Sequence, residues 1–400
     1  MSNAIPKGWS EYRQGDVAEF SNGRAYKLTE WEKQGTPVIR LQNLTGSGKD
    51  YYYSNLELPE RQYCDFGDLL YMWSATFGAH IWKGPKAIYH YHIWKVTCDE
   101  VNITKPYLYQ LLKQKTEEWM SKSNGMGILH VTKGSMEDML LLLPPRPEQQ
   151  KIAATLTAVD DVIESTQAQI NKLKDLKTGM MQELLTKGIG HTEFKDSEVG
   201  RLPKAWNVIS LEDITLEHKQ GYYSKDAYTS IGAYVVRITD LSNPYITFEG
   251  MPRMVMSEVD FNAYKIIKGD FLFARSGAIG RYGIFDSDNE AVFASYLIRF
   301  RFNQDMALNK FVGYCYESDY CQFQLRAITQ GSSNVNINAQ NIKGLLIPLP
   351  SLPEQEKIVA QISSLDATLI ANTKKMNALQ STKKALMQDL LTGKVRVKVN

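Results

Sequence analysis

Two stretches of this chain are copies of each other, and what they share is the period of a helix that must bury one seam against a partner. PEQQKIAATL begins at Pro147 and PEQEKIVAQI at Pro353, an offset of 206 residues that holds without a gap through MQELLT at Met181 to Thr186 and MQDLLT at Met387 to Thr392. Of the 42 positions from Pro147 to Gly188, 15 are identical in the second copy, far more than chance supplies. The seam positions of the first copy are Ile152, Leu156, Val159, Ile163, Thr166, Ile170, Leu173, Lys177, Met180 and Leu184, spaced alternately by four and three residues. Those of the second are Ile358, Ile362, Leu365, Leu369, Asn372, Met376, Leu379, Lys383, Leu386 and Leu390. A 3.5-residue period kept this long marks a coiled-coil seam rather than a surface helix.

Pro147 and Pro353 stand where a helix can begin but not continue backwards, and Gly188 and Gly393 where one can end. About 37 helical residues at ~1.5 Å each make a rod of roughly 55 Å. The other copy is the obvious partner for each seam, and antiparallel pairing is favoured because a whole globular segment lies between the two. The alternatives are a helix packed on its own globular segment or paired between chains. Both seams are interrupted at matching places, Thr166 with Asn372 and Lys177 with Lys383, polar layers of the kind that fix register at some cost in stability.

Weaker matches link the remaining parts of the two halves. Lys7-Gly8-Trp9 parallels Lys204-Ala205-Trp206, Arg40 to Leu44 parallels Arg237 to Leu241, and Gly67 to Leu70 parallels Gly269 to Leu272. Short apolar runs such as Ala233 to Ile238, Asp270 to Arg275 and Ala291 to Phe300 alternate with Gly turns, and a helical stretch follows in each half, near Pro106 to Met120 and Met306 to Ile328. The expected fold class is therefore α+β with an internal pseudo-twofold repeat: two similar α/β domains separated by two long antiparallel coiled-coil helices. The expected boundaries are 1–146 and 189–352 for the globular domains, 147–188 for the first helix, and 353–400 for the second with its tail.

At 43% hydrophobic and 22% charged residues the composition is that of a soluble globular protein, and a net charge of +2 argues against holding nucleic acid by bulk charge. The helices are not basic stripes either. Five lysines stand against six acids in the first copy and six against four in the second, which suits a spacer and a protein-docking surface. No run of 18 apolar residues occurs, so membrane spanning and secretion are disfavoured and a cytoplasmic location is expected. Cys64, Cys98, Cys315 and Cys321 form no CxxC, so neither zinc nor a disulfide framework is expected.

Signatures of catalysis fail one by one. GSGKD at Gly46 to Asp50 lacks the upstream glycine of a phosphate-binding loop and has Asp50 where Ser or Thr would hold magnesium. Asn243-Pro244-Tyr245 faintly resembles the base-cradling segment of amino-methyltransferases but carries one proline and follows no Gly-rich cofactor loop. Asp213 with Glu217-His218-Lys219 fits a metal-nuclease pattern no better than chance allows. The chain is thus expected to have no catalytic, cofactor or metal site.

The loops hold a different inventory. SNGRAYK, WSATFGAHIWKG and KSNGMGILH in the first half, and HKQGYYSK, ARSGAIGRYG and TQGSSNVNINAQN in the second, supply Arg, Lys, Asn, Gln, Ser and Thr. These residue types read base edges and hold phosphates. Polar Gly loops also decorate enzymes, so the inventory alone does not decide.

A duplicated layout in which LPxxxEQ leads into a helix ending in LLT resembles the specificity subunits of Type I restriction–modification systems. The most specific blocks are Leu143-Pro144 through Thr186 and Leu349-Pro350 through Thr392, centred on Pro147-Glu148-Gln149 and Pro353-Glu354-Gln355. The resemblance implies a non-catalytic subunit whose two variable domains each read half of a split, asymmetric target in double-stranded DNA. It implies that the helices separate those domains and dock two methyltransferase subunits, with restriction subunits joining the full complex. S-adenosylmethionine, ATP and magnesium would then belong to the partners. The expected DNA-contacting residues are Arg24, Tyr26, Lys27, Thr76 and His80 in the first domain, and Tyr222, Tyr223, Lys225, Arg275, Ser276, Arg281, Ser333 and Asn334 in the second. A specificity subunit of a Type IIB-like or other phage-defence methyltransferase system is the alternative within the same fold. A self-sufficient nuclease or methyltransferase and a scaffold that binds no DNA are the alternatives outside it.

Overall fold

The structure, a computed structural model, describes residues 5–48, 50–74, 76–122, 131–224, 227–329 and 336–399, with Leu28 and Lys122 described through their backbone alone. It divides into two compact units, one formed by Met1–Ala168 with Lys374–Asn400 and the other by Gln169–Thr373. The heptad stretches are helices throughout, Arg146–Lys187 (the first long helix, 42 residues) and Leu352–Leu390 (the second, 39 residues). Each unit therefore contains part of both.

Pro147 and Pro353 occupy the first turn, where a missing N–H costs nothing. The amides that follow bond to the carbonyls of Pro145 and Ser351 respectively. Every seam position is buried or half-buried. Ile152, Leu156, Thr166, Ile170 and Leu184 are buried on the first helix, and Ile358, Ile362, Met376, Lys383 and Leu390 on the second. Val159, Ile163, Leu173, Leu365, Leu369 and Leu379 are half-buried.

Within the first unit the two helices run antiparallel. Glu148 meets Arg396 just beyond the second helix, and Asp160, twelve residues on, meets Lys383, thirteen residues back. The second unit repeats this: Lys177 meets Asp366, and Ile189, twelve residues on, meets Glu354, twelve residues back. The helices also pack on the globular parts. Ile152, Ala153 and Leu156 share a core with Met387, Leu390, Leu391, Tyr107, Leu108 and Leu111. In the second unit Met181, Leu184, Leu185, Ile358 and Ile362 share one with Phe311, Val312 and Tyr314. Pairing and packing on the domain, alternatives in the sequence, occur together.

The globular parts repeat one plan. In the first unit a four-stranded antiparallel sheet has the order Ala18–Asn22, Ile93–Cys98, Leu69–Ser74, Thr76–Ile81, and in the second the order is Thr215–Gln220, Leu297–Phe302, Phe271–Ala274, Tyr282–Ile284. A strand beside each sheet pairs in parallel with the one leading into it, Thr36–Ile39 with Ala87–Tyr89 and Ala233–Val236 with Ala291–Phe293. The central strands are apolar on both faces, as burial on both sides requires. Leu69 and Tyr71 enter the core shared with the long helices while Leu70 and Met72 enter a second one, and Phe271 and Phe273 divide from Leu272 and Ala274 in the same way.

The PEQ motif now acquires a structural role. The Gln149 amide donates to the carbonyls of Pro144 and Asn102 and accepts from the Thr104 N–H, at 3.0, 2.8 and 2.9 Å. Gln355 does the same with Pro350, Met306 and Leu308 at 3.0, 2.9 and 2.9 Å. Each glutamine thus joins the start of a long helix to the segment preceding a domain helix, Lys105–Lys122 or Asn309–Glu317.

Candidate nucleic-acid interface

In the first domain the chain leaves strand Ala18–Asn22 at Gly23 and passes beneath the bend that joins Ala87–Tyr89 to Ile93–Cys98. Arg24 N–H donates to the Tyr89 carbonyl at 3.2 Å, and Arg24 pairs with His90 as a parallel bridge. Its guanidinium is held by Glu30 at 2.5 Å and lies 5.1 Å over the Tyr26 ring, so much of its charge is answered within the domain. The hydrogen bond from Arg24 keeps the Glu30 carboxyl below its ordinary range.

Tyr26 stands in a run of rings. It lies 5.2 Å from Trp31, which lies 4.6 Å from Tyr52, and it stacks on His90 at 6.5 Å. Burial pushes its phenol up to about 12, and Arg40 caps the run over Tyr52 at 5.1 Å. Burial, then His92 and Arg40, pull the His90 imidazole down to about 4, so it stands neutral at physiological pH. Lys27 is exposed, with its N–H bonded to Glu30.

Thr76 opens strand Thr76–Ile81 at the tip of a hairpin, opposite Ser74. The adjoining Trp73 donates its indole N–H to the Tyr91 carbonyl at 2.9 Å, which ties the hairpin tip to the bend. The structure therefore brings Arg24, Tyr26 and Thr76 to one end of the domain. His80 lies apart from them, four ladder positions from the tip and opposite Leu70, with its pKa lowered by burial and by Lys113.

The second domain has the same end. Tyr222 N–H donates to the Phe293 carbonyl at 2.8 Å and its ring meets Tyr264 edge-on at 5.0 Å, while Tyr223 is exposed. Arg275 N–H donates to the Tyr296 carbonyl at 3.0 Å and its own carbonyl accepts from Ile337. Its buried Nε has no hydrogen-bond partner among the described residues. Ser276 forms a bridge with Asn336, and Arg281 is exposed where the loop returns, its N–H bonded to the Ala278 carbonyl at 3.1 Å. Lys225, Ser333 and Asn334 lie outside the described residues.

Trp73 opens the loop WSATFGAHIWKG without being chosen as a contact, and Tyr91, His92, Ser295 and Tyr296 lie outside every polar loop named above. They sit at strand ends, and Tyr89 to Ile93 matches Phe293 to Leu297 in fold without a shared residue. The metal-nuclease pattern resolves into structure: Asp213 caps the turn at Ser210, and Glu217 pairs with Arg299 and Arg301. Among the described residues no helix is long and apolar enough to cross a membrane.

Two like domains thus carry unlike polar and aromatic ends on one repeated plan. The sequence matches the family described as Type I restriction modification DNA specificity domain twice, over residues 6–175 and 203–381, and the chain belongs to that family. It is 27% identical to the Type I restriction enzyme MjaVIII specificity subunit of Methanocaldococcus jannaschii, across 98% of this chain and 94% of that one. It is 24% identical to the EcoBI specificity subunit of Escherichia coli, across 98% and 86%. In fold it is similar to the S subunit of a Type I restriction–modification system from M. genitalium, with a TM-score of 0.64, 13% identity and coverage of 98% and 97%.

Proposed function

We propose that this chain is the non-catalytic specificity subunit of a Type I restriction–modification enzyme and directs it to a bipartite, asymmetric site in double-stranded DNA. Each domain reads one half-site through the end that carries Arg24, Tyr26 and Thr76 or Tyr222, Arg275 and Ser276. The two long helices set the number of base pairs between the halves and dock two methyltransferase subunits, to which restriction subunits are added. S-adenosylmethionine, ATP and magnesium reside on those partners.

The observation that carries this reading is the repeated scaffold with unlike ends. A twofold repeat with the same residues at both ends would read a palindrome, whereas Arg24 and Tyr222, or Trp73 and Arg275, present different chemistry from matched positions. The nearly neutral net charge fits a subunit that gains affinity from partners rather than from a large phosphate contact of its own.

Methylation mapping of the host genome with and without the gene tests the proposal. One split motif with unlike halves should lose its methylation when the gene is removed. An unchanged methylation map, or loss of a continuous palindrome, overturns it.

A further inference from the structure

The bend beneath which Gly23 passes is held by six backbone hydrogen bonds; Tyr91 N–H to the Arg24 carbonyl at 3.0 Å is made in the first domain, and the second domain repeats the other five. Gly23 N–H donates to the Ile93 carbonyl at 3.1 Å, as Gly221 does to Leu297 at 3.0 Å. Arg24 donates to Tyr89 as Tyr222 does to Phe293, and His90 to Ile39 as Ala294 does to Val236. Ile93 N–H closes the turn on the His90 carbonyl at 2.9 Å, as Leu297 does on Ala294 at 2.9 Å. Trp73 N–H donates to the His92 carbonyl at 3.2 Å, as Arg275 does to Tyr296 at 3.0 Å.

The approach is as close as glycine permits. A Cβ on Gly23 would collide with the Tyr89 and His90 carbonyls, and one on Gly221 with the Ala294 carbonyl. Two four-residue turns, 90–93 and 294–297, are therefore held by five equivalent backbone bonds in the two domains.

The side chains on this frame have all changed. Tyr91 and His92 are the central pair in one turn, Ser295 and Tyr296 in the other. The supporting positions are Arg24, Trp73 and His90 against Tyr222, Arg275 and Ala294. A two-residue tip selected only for turning favours Asn, Gly, Asp or Ser. Three of these four tip residues instead carry rings, and Tyr91 and Tyr296 leave 38% and 62% of their surface exposed. In the first turn the rings pack on one another, His92 lying 3.8 Å from Tyr91 and 5.5 Å edge-on to Trp73. A repeated backbone frame with divergent side chains separates holding from reading.

We infer that the paired turns, with Tyr91 and His92 in one domain and Ser295 and Tyr296 in the other, are specificity determinants that contact base edges of the two half-sites. This rests on the specificity-subunit reading above. Imidazole and hydroxyl groups donate or accept at base edges, and the ring faces suit the thymine methyl or an unstacked base.

The test exchanges the tips in the full chain, expressed with its partner subunits, and maps methylation. Tyr91→Ser with His92→Tyr should change or relax base preference by about tenfold or more within one half-site and leave the other intact. Ser295→Tyr with Tyr296→His should do the reverse. Tyr91→Ala and Tyr296→Ala, single truncations that leave the backbone bonds in place, provide the same comparison should an exchanged turn fold poorly. An unaltered motif in all four variants overturns the inference, and so does a uniform fall in methylation with both half-sites intact. Failure of the underlying reading looks different, because then the unmodified gene directs no split motif at all.

Discussion

Lys383 reaches Asp160 at 2.6 Å, and its counterpart in the repeat, Lys177, reaches Asp366 at 2.7 Å, so the same pair is made once in each unit. The stoichiometry around the pairs is inverted. Asp160 also receives Lys113 at 3.3 Å and Gln110 at 3.0 Å, so one carboxylate answers two ammonium groups. Lys177 also donates to Glu317 at 3.2 Å, so one ammonium answers two carboxylates, and Tyr314 donates to Asp366 at 2.7 Å. Burial opposes the charge on Asp160, but Lys383, Gln110 and Lys113 outweigh it and lower its pKa.

Asp160→Asn should therefore cost more than Lys383→Met, since it strands two lysines while the latter leaves Asp160 with Lys113. In the second unit the order reverses, and Lys177→Met should cost more than Asp366→Asn. The costlier member of each couple should lose about 2–3 kcal/mol, below the value for a fully buried pair because the Asp160 side chain retains 23% exposure. Denaturant unfolding of the four variants decides this, and equal losses within each couple would refute the inverted arrangement.

Gln149 and Gln355 each satisfy three backbone groups at the root of a long helix. Gln149→Ala and Gln355→Ala should destabilise by about 1–3 kcal/mol. Gln149→Glu should be worse despite its closer shape, because a carboxylate there faces the carbonyls of Asn102 and Pro144 with no hydrogen to offer. A glutamate variant as stable as the alanine one in thermal unfolding contradicts this account.

His90 makes the first domain sensitive to acid. The unfolded imidazole takes up its proton near pH 6.5, whereas the folded one stays neutral down to about 4. Across that window the unfolded state binds more protons, so stability present above pH 6.5 is lost as the pH falls. Calorimetry at pH 7.5 and 5.0 should show a smaller drop in Tm for His90→Asn than for the unmodified chain. An identical drop would mean that His90 does not contribute.

One heptad added at matching places in both long helices lengthens each by ~10.5 Å, the rise of about three base pairs. Methylation at the original spacing should disappear from the host genome. Its persistence would show that the helices do not set the spacer.

The sequence spoke most clearly where a period was imposed by burial. The seam from Ile152 to Leu184 and from Ile358 to Leu390 is legible because each position must face the same way, and the lysine breaks at Lys177 and Lys383 stood out against it. Their partners did not. Asp160 and Asp366 lie outside the seam, and nothing local distinguishes an aspartate that crosses to another helix from one in water. The domain ends proposed to read DNA were half legible. Arg24, Tyr26 and Thr76 were marked by Gly-rich loops, but Tyr91, His92 and Tyr296 reach the same place through backbone bonds whose one residue signature, Gly23 and Gly221, lies far from them in the sequence. His80 shows the converse, since a polar loop motif there continues into a strand that carries it away from the tip.

Arg396 grips the buried Glu148 with Nε and Nη2, each at 2.6 Å, and donates from Nη1 to the Lys7 carbonyl at 2.7 Å, so the first unit needs residues from both ends of its own numbering. The second unit needs only Gln169–Thr373. On the ribosome, order of synthesis and order of completion are thus opposed: the domain encoded first is finished last. The core around its helix start waits for roughly two hundred further residues, roughly 10 to 40 seconds at ~5–20 residues per second. During that interval Ile152 and Leu156 lack the part of their cover supplied by Met387 and Leu390, an opening for chaperones or for premature association with a neighbouring nascent chain.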